Sequence, residues 1–260
     1  MNPTINRLTD VRLGVIGAGR VGTALCLALR EAGLEVEGPA GRGEIPRGCA
    51  AIVLCVPDAE IAAVARAAAG AAPLVGHTSG ATPLSDLAPA GVPAFGLHPL
   101  QTFAAGAGDG LDAFAGAGCA VAGTTPGALE VATALARTLG MTPFEIDDEG
   151  RAAYHAAASI ASNFMVTLQA AAESIAAGAG LEPHEARALL VPLLRRTVDN
   201  LAELGPAAAL TGPVARGDER TIEAQRQAVA DVAPHLLDLF DELVRHTRPL
   251  AATSVSQVPA

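Results

Sequence analysis

The chain contains no lysine: all 17 of its basic residues are arginines. This absence excludes enzymes that form a lysine Schiff base, including those that use pyridoxal phosphate, and it excludes the P-loop nucleotide-binding proteins. Histidine is the side chain whose charge changes closest to neutral pH. We therefore expect a proton donor among the six histidines.

Aromatic residues and positive charge are also scarce. Only 3% of the 260 residues are aromatic and none is tryptophan, although half are hydrophobic, so Ala, Val and Leu are expected to form the core. The net charge of −10 argues against nucleic acid or an anionic membrane surface as a partner. No apolar run reaches the roughly 18 residues of a membrane span, and the first residues are too polar for a secretory signal. These features predict a cytoplasmic protein.

Cysteine is limited to four residues, at positions 26, 49, 55 and 119. They form no C-x-x-C pair and have no histidine at metal-binding spacing. We expect buried, reduced thiols and no metal site.

The most informative stretch is Val11–Gly22, in which a short apolar run ends in Gly17-Ala18-Gly19-Arg20-Val21-Gly22 and a helical pattern follows. This is the G-x-G-x-x-G spacing of dinucleotide-binding sites at a strand-to-helix junction. The first glycine would permit a tight turn, the second would let the backbone approach a pyrophosphate, and the third would let helix and strand pack closely. Val56 and Pro57, at the end of a later apolar run, complete the predicted cofactor site.

The end of the second predicted strand bears on the choice between NADP and NAD. It reads Pro39-Ala40-Gly41-Arg42, without the carboxylate that holds the ribose hydroxyls in NAD sites, and Arg42 could bind a 2′-phosphate. Glu37 is the competing NAD interpretation, although its position falls inside the strand. We predict NADP rather than NAD, with an ordinary solvated charge as the alternative role for Arg42.

Strand and helix patterns alternate up to about Asp147, and only helical patterns follow. Alternation of this kind predicts a mostly parallel, doubly wound α/β sheet of the Rossmann type, here followed by an all-α domain. We place the nucleotide-binding domain at residues 1–147 and a helical substrate and dimerisation domain at residues 148–260. The predicted strands span residues 11–16, 34–39, 50–56, 73–76, 92–97, 119–122 and 141–146; the predicted helices of the second domain span 148–177, 183–204, 218–232 and 234–245, followed by a frayed tail after Pro249.

Three polar residues recur at helical spacing in the first long helix of the second domain. His155, Ser159 and Asn163 would share one face of an otherwise apolar, alanine-rich helix. Buried polar groups need partners, so the row predicts either a catalytic face or a hydrogen-bonded helix or dimer seam. In the catalytic interpretation His155 donates a proton while Ser159 and Asn163 hold a substrate carbonyl or carboxylate.

Two further groups could contribute to a site. His98 and Ser79 follow or end predicted strands, at the sheet edge where such folds bind ligands, although a capping histidine and a simple turn are the alternatives. The loop 210–218 carries Thr211 and Arg216, which could bind a substrate carboxylate, or Arg216 could only cap the helix that begins at Asp218.

The chain resembles the bacterial Rossmann-like proteins whose helical half is classed as domain of unknown function 2520. The resemblance is carried by Gly-Ala-Gly-Arg-Val-Gly (17–22), His-Thr-Ser-Gly (77–80), His-Pro-Leu-Gln-Thr-Phe (98–103), Tyr-His-Ala-Ala-Ala-x-x-Ala-Ser-Asn (154–163) and Leu-Thr-Gly-Pro-Val-Ala-Arg-Gly-Asp (210–218). It implies an NADP-type Rossmann domain and a helical dimerisation domain, without fixing a substrate.

Better-understood families are more distantly similar. The 155–159–163 spacing resembles the Lys-x-x-x-Asn-x-x-x-Asn row of ketopantoate reductases, with only Asn163 identical. Ser79 and His98-Pro99 resemble the Ser and His-Pro of prephenate dehydrogenases, in which the histidine binds the substrate hydroxyl. Pyrroline-carboxylate reductases share the two-domain plan and an interlocked helical dimer.

These observations lead to one expected function and two alternatives. We expect an NADP-dependent oxidoreductase, acting on the CH–OH or carbonyl group of a small 2-hydroxy or 2-oxo acid, with ketopantoate as the most specific candidate. A prephenate dehydrogenase-like enzyme is one alternative. A non-catalytic NADP-binding sensor or scaffold is the other.

Overall fold

The computed structural model describes residues 11–104 and 110–255 and divides into two compact units, residues 1–161 and 162–260. Strand patterns end near Asp147, where we predicted the domain boundary. The compact division falls later, after Ala161, because the first helix beyond the strands contacts the sheet.

A seven-stranded sheet organises the first unit, in the order β2-β1-β3-β4-β5-β6-β7. Every neighbouring pair is parallel except β5 and β6, which are antiparallel. The mostly parallel α/β fold predicted from the alternating patterns is thereby confirmed. The strands are β1 (Arg12–Ile16), β2 (Glu35–Ala40), β3 (Ala51–Leu54), β4 (Val75–His77), β5 (Ala94–Leu100), β6 (Gly118–Gly123) and β7 (Thr142–Glu145).

Helices cover both faces of this sheet because its strands are apolar on both sides. Leu13 and Val15 belong to the core under α1 (Arg20–Glu31) and α3 (Pro126–Thr138), whereas Ile16 belongs to the core under α2 (Ile61–Ala67). Side chains alternate between faces along a strand, so each strand contributes to both cores. A 3₁₀ segment, Leu84–Ala90, completes the α2 side.

The helices after the sheet differ from the prediction in three places. The long helix predicted over residues 148–177 is interrupted at Ser162, whose φ of −122° and ψ of −72° are not helical. The helix predicted over residues 183–204 is interrupted at Gly205, where we placed its end, but helical structure resumes to Ala209 inside the predicted loop. The last helix continues to Val255 where we expected a frayed tail. These helices are α4 (Arg151–Ala161), α5 (Asn163–Ala176), α6 (Pro183–Ala209), α7 (Pro213–Arg216), α8 (Glu219–Val232) and α9 (Leu237–Val255).

The second unit has little core of its own. Among the residues whose burial the structure describes, those buried beyond residue 161 are Glu173, Ala186, Ile222, Val229 and Ala233. Large apolar side chains meanwhile stay more than half exposed, including Phe164, Val166, Leu189, Leu193 and Leu204. Within the described ranges, none of the helices is both long and apolar enough to cross a membrane.

Candidate functional site

The turn between β1 and α1 requires glycine at two positions for reasons internal to the fold. Gly17 has a φ of +114°, and a Cβ there would overlap the carbonyl oxygen of Cys55. A Cβ at Gly22 would overlap the carbonyl oxygen of Gly17 itself. These two glycines therefore let the turn, the helix and β3 approach one another, as the spacing predicted.

Gly19 differs from these two glycines, because a Cβ at this position would meet no atom within 4 Å. The fold alone thus gives no reason for glycine here, whereas the approach of a ligand to the backbone would. Gly19 is the N-cap of α1, and no described side chain caps the helix. The first N–H groups and the positive end of the helix dipole therefore lie beside an open position, which fits a pyrophosphate.

The remaining residues of the fingerprint lie at the same edge. Ala18 and Arg20 are exposed and Val21 is half-buried. Because Ile16 of β1 pairs with Leu54 of β3 in parallel register, the chain leaves both strands at one end of the sheet. Half-buried Val56 and exposed Pro57 follow β3 there, beside the turn.

Arg42 and Glu37 are the two charged residues that bear on the choice between NADP and NAD. The Arg42 side chain is 88% exposed, and its Nη2 lies 3.1 Å from Oε1 of Glu60. Glu37 is paired along β1 with Gly14 and lies 3.8 Å from Arg12, away from the strand end, which argues against its NAD role. Glu44 was missed in the sequence: its carboxylate accepts the Gly41 N–H at 2.8 Å, so a carboxylate does lie near this strand end.

A polar cluster occupies the α2 face of the sheet at β4 and β5. His77 of β4 is paired with Gly96 of β5, and His98 lies two residues beyond Gly96. Neighbouring residues in register, and residues i and i+2 of one strand, point to the same face of a sheet. The side chains of His77 and His98 therefore lie on the same face of the sheet as the group that packs on Gly96.

Helix α4 supplies the groups that pack against this face. The Tyr154 hydroxyl lies 2.6 Å from His98 Nδ1, and the Tyr154 ring also packs edge-on against Phe144 of β7. Ala120, between His98 and Phe144 in the strand register, is small enough to leave room for that ring. The His155 ring lies 6.1 Å from the His98 ring.

Gly80 closes the cluster on the side of the β4 loop. A Cβ at this buried position would lie 2.8 Å from His98 Nε2 and 2.8 Å from His155 Cδ2. A larger residue would therefore displace both imidazoles. The loop is shaped by Ser79, whose Oγ accepts N–H groups from Ala81 and Thr82 and hydrogen-bonds to Thr82 Oγ1.

Burial and neighbouring charge keep His98 and Tyr154 neutral. Burial, together with the charges of His155 and Arg151, lowers the pKa of His98 to about 4. Burial raises the pKa of Tyr154 to about 12. At neutral pH both groups are therefore uncharged: Tyr154 keeps its hydroxyl proton and the His98 ring carries one proton. Nε2 of His98 is a donor when it carries that proton and an acceptor when Nδ1 carries it.

His77 is fully buried, and only one of its two ring nitrogens makes a hydrogen bond to a described residue. Its Nδ1 accepts the Ser79 N–H at 3.2 Å, so the neutral ring has its proton on Nε2. Within the part of the chain that the structure describes, Nε2 is the buried side-chain polar atom that lacks a partner. Burial first, and the charge of Arg151 second, lower the pKa of His77 to about 4.

The residues predicted to form one catalytic row lie on two different helices. His155 and half-buried Ser159 lie on α4, whereas Asn163 begins α5, beyond the break at Ser162. The prediction that all three share one continuous helix is therefore wrong. No proline or glycine marks this break in the sequence, which explains why the pattern did not predict it.

Thr211 and Arg216 belong to the second unit, where both are exposed. Arg216 ends the short helix α7, and its charge contributes, after the hydrogen bonds from Thr221, to the lowered pKa of Asp218. Asp218 caps α8 by accepting the Thr221 N–H at 3.1 Å. The cap at this helix is therefore Asp218, as the sequence predicted, and the role of Arg216 in carboxylate binding stays a prediction.

Sequence reasoning missed Arg151 and Tyr154 as members of the cluster. Arg151 is 2% exposed, and its Nε donates to Asp148 at 2.9 Å. It precedes Tyr154 by three residues and His155 by four, so it neighbours each of them on the helix surface. Extending the predicted polar row by one step toward the N-terminus would have included it.

Comparison with known structures supports the fold. A candidate NADP oxidoreductase from Bacteroides fragilis is 22% identical, covers 94% of this chain and all of its own, and superposes with a TM-score of 0.77. A protein from Thermotoga maritima is 25% identical over 93% of this chain and 98% of its own, with a TM-score of 0.72. The pyrroline carboxylate reductase of Plasmodium falciparum, solved with NADP bound, is 12% identical over 94% of this chain and all of its own, with a TM-score of 0.62.

The sheet, its glycine turn and the following helices define a Rossmann-like protein with a helical C-terminal unit. A family model, the domain of unknown function DUF2520, matches residues 117–247, half of the chain. The chain belongs to this family, as its motifs indicated. No curated protein matches the chain.

Proposed function

We propose that the chain is an NADP-dependent oxidoreductase that interconverts a small 2-oxo acid and the corresponding 2-hydroxy acid. The observation that carries the proposal is the common edge of the sheet: the open glycine turn follows β1, and the His98 cluster lies at β4 and β5. Neighbouring strands are about 4.8 Å apart, so these groups are separated by about 14 Å. Ligands of doubly wound sheets bind along this edge.

Residues of the first unit would hold the cofactor. Gly17–Gly22 and the start of α1 would hold the pyrophosphate, Val56 and Pro57 would line its path, and Arg42 would bind the 2′-phosphate. The similar structures from Bacteroides fragilis and Plasmodium falciparum are named for NADP, which supports NADP rather than NAD here. When bound, the nicotinamide would supply or accept the hydride.

His98 is the proposed proton carrier. Its low pKa leaves it neutral at neutral pH, so in the oxidation direction Nε2 can accept the substrate hydroxyl proton as the C–H bond gives up its hydride. In the reduction direction the same imidazole returns that proton to the carbonyl oxygen. Tyr154 fixes the ring through Nδ1, and His155 is the second candidate donor.

The contacts bear differently on the two more distant families, the ketopantoate reductases and the prephenate dehydrogenases. The break at Ser162 separates Asn163 from His155, so the ketopantoate reductase-like row is not continuous. His98 lies within β5, which continues to Leu100 where we predicted the strand to end before it, and two residues past the pairing of β5 with β4. This position is compatible with a prephenate dehydrogenase-like role toward a hydroxyl group. The substrate panel should therefore contain 2-hydroxy acids with NADP as well as 2-oxo acids, including ketopantoate, with NADPH.

Cofactor binding is tested by Gly19→Ala, with Gly127→Ala as a matched control. A Cβ meets no atom within 4 Å at either position, and both lie at a helix start, so neither change should unfold the protein. Only the first adds a methyl group where the pyrophosphate would rest. In thermal-shift titrations we expect NADP to stabilise the wild type and the control, and to bind Gly19→Ala at least about tenfold more weakly.

Equal NADP affinity in Gly19→Ala and Gly127→Ala would refute the proposed cofactor site. Arg42→Ser should reduce the preference for NADP over NAD, since it removes the charge offered to the 2′-phosphate. NADP binding without turnover of any acid in the panel would instead identify a sensor or scaffold.

Turnover is tested by His98→Asn and His155→Ala, because positioned acid–base groups contribute about 10²–10⁴-fold. We expect the variant that removes the proton carrier to lose at least about 100-fold in kcat with NADPH affinity retained. An unchanged rate removes the substituted histidine from the mechanism. If both variants keep the wild-type rate, the proposed role of the cluster is wrong.

The second unit is proposed to form a homodimer. Its described residues bury few side chains, while Val166, Leu189 and Leu193 are each more than 60% exposed. Apolar surface of this extent is more typical of an interface than of a monomer surface. The helices would thus acquire a shared core on association.

A further inference from the structure

Arg151 is a buried cation at the His98 cluster whose charge is only partly compensated. Its side chain is 2% exposed, and its ion pair with Asp148 uses Nε alone. The Asp148 carboxylate is itself held by the Leu84 N–H, at 2.9 Å and 3.0 Å from its two oxygens. Asp148 thus orients the Arg151 side chain through Nε and makes no hydrogen bond to the terminal nitrogens Nη1 and Nη2.

The terminal nitrogens of Arg151 have no acceptor among the residues that the structure describes. Neither Nη1 nor Nη2 makes a hydrogen bond there, yet His77 Nε2 is the fully buried side-chain atom without a partner in the same ranges. Arg151 as a whole is only 2% exposed, so any accessible part of its terminal nitrogens is small. A guanidinium in this condition presents two parallel N–H donors toward an acceptor from outside the described chain.

Gly96 sets the position of this donor pair. A Cβ at Gly96 would lie 2.6 Å from Nη2 and 3.6 Å from Nη1, so the guanidinium rests directly on β5. His98 is two residues further along β5 and points to the same face, about 7 Å away. A carboxylate on Arg151 and an oxygen at His98 can therefore belong to one short molecule.

We infer that Arg151 is the carboxylate-binding residue of this site and selects anionic 2-oxo or 2-hydroxy acids over neutral carbonyl compounds. The inference rests on the proposed function for the reaction, and on the contacts of Arg151 for the charge of the substrate. Bidentate guanidinium–carboxylate pairs combine charge with a fixed orientation, which would hold the carbon next to the carboxylate at His98.

The test measures binding of oxamate, an unreactive analogue of a 2-oxo acid, and of its neutral amide, oxamide. Calorimetric titrations are run on the full chain with and without NADP. We expect oxamate to bind the wild type in preference to oxamide. Arg151→Met should weaken oxamate binding roughly 100-fold while leaving oxamide binding unchanged, because truncating one partner of a buried charge pair has effects of this size.

Two further variants keep the test decisive if Arg151→Met does not fold. Gly96→Ala retains the charge but displaces Nη2, so it should weaken oxamate binding at least about tenfold. Arg137→Met, at an exposed position near the end of α3, is the matched arginine control and should bind oxamate as the wild type does. Oxamate that fails to bind the wild type, or that binds Gly96→Ala with unchanged affinity, overturns the inference.

The outcome is separable from that of the proposed reaction. Oxamate binding that depends on Arg151, without turnover of any acid, would retain the anion site and reject the oxidoreductase. Turnover of a 2-oxo acid whose KM is unchanged in Gly96→Ala would retain the oxidoreductase and reject Arg151 as its carboxylate ligand.

Discussion

Acidification should destabilise the first unit through His77. The folded-state pKa of about 4 lies below the ordinary histidine value of 6.5, because burial disfavours the charged ring. Between these two pH values the unfolded chain binds the proton and the folded chain does not. Stability is therefore full above pH 6.5 and is lost as the pH falls toward 4, with a slope of about 1.4 kcal/mol per pH unit and a total of about 3 kcal/mol.

The assay follows tyrosine fluorescence through urea unfolding titrations at several pH values. Tyr154 is the single tyrosine and the chain has no tryptophan, so this signal reports on the first unit alone. His77→Asn places a non-titrating acceptor near the position of Nδ1, which can keep the hydrogen bond from Ser79. The variant is expected to be less stable than the wild type at neutral pH but to have a flatter pH dependence.

An identical slope in His77→Asn and the wild type would refute this reasoning. A direct check follows the His77 ring proton by NMR. If the ring titrates near pH 6.5 in the folded protein, the burial cost attributed to it is wrong.

Two other outcomes follow from the contacts. Tyr154→Phe removes the hydroxyl 2.6 Å from His98 Nδ1 but keeps the ring. Urea denaturation followed by circular dichroism should therefore show a free energy of unfolding lower by about 1 kcal/mol, and the pH–rate profile should shift. An unchanged profile would contradict the positioning role of Tyr154. Light scattering at micromolar concentration should give a dimer for the wild type, and the pair Leu193→Asp and Val166→Asp should shift it toward monomer, since both side chains are largely exposed in the single chain. A monomeric wild type would count against the interface.

Much of the fold was predictable because the local patterns agree with the tertiary structure. The apolar run from Ala50 to Val56 fits a strand buried on both faces, and β3 occupies its centre at Ala51–Leu54. Thr125 and Pro126 predict the start of α3, where the Thr125 side chain accepts the Ala128 N–H. Such signals act within a few residues, and the structure preserves them.

The break at Ser162 was not predictable for the opposite reason. Between Arg151 and Ala176 the chain is rich in alanine and contains neither glycine nor proline, so every local preference favours one continuous helix. The division into two units falls at the same place. The interruption is therefore not encoded in the helical pattern.

The composition of the site was predictable only in part, since its members come from separate strands and a helix. His98 was identifiable because the pattern predicted a strand end just before it, where these sheets bind ligands, although β5 continues to Leu100. Arg151 continues the helical row by one step, but its contact with β5 was not predictable, because it depends on Gly96 offering no side chain and on Asp148 orienting the guanidinium. Pairing across 55 residues of sequence, from Gly96 to Arg151, has no local signature.

The small residues on this face explain why the polar groups of α4 can be buried at all. Gly96 accommodates the Arg151 guanidinium and Gly80 accommodates the imidazoles of His98 and His155. A leucine in place of Arg151, with larger residues beneath it, would give a conventional apolar contact without an incompletely paired charge. Burying an incompletely paired guanidinium costs stability, and the anion proposed above would complete its hydrogen bonds.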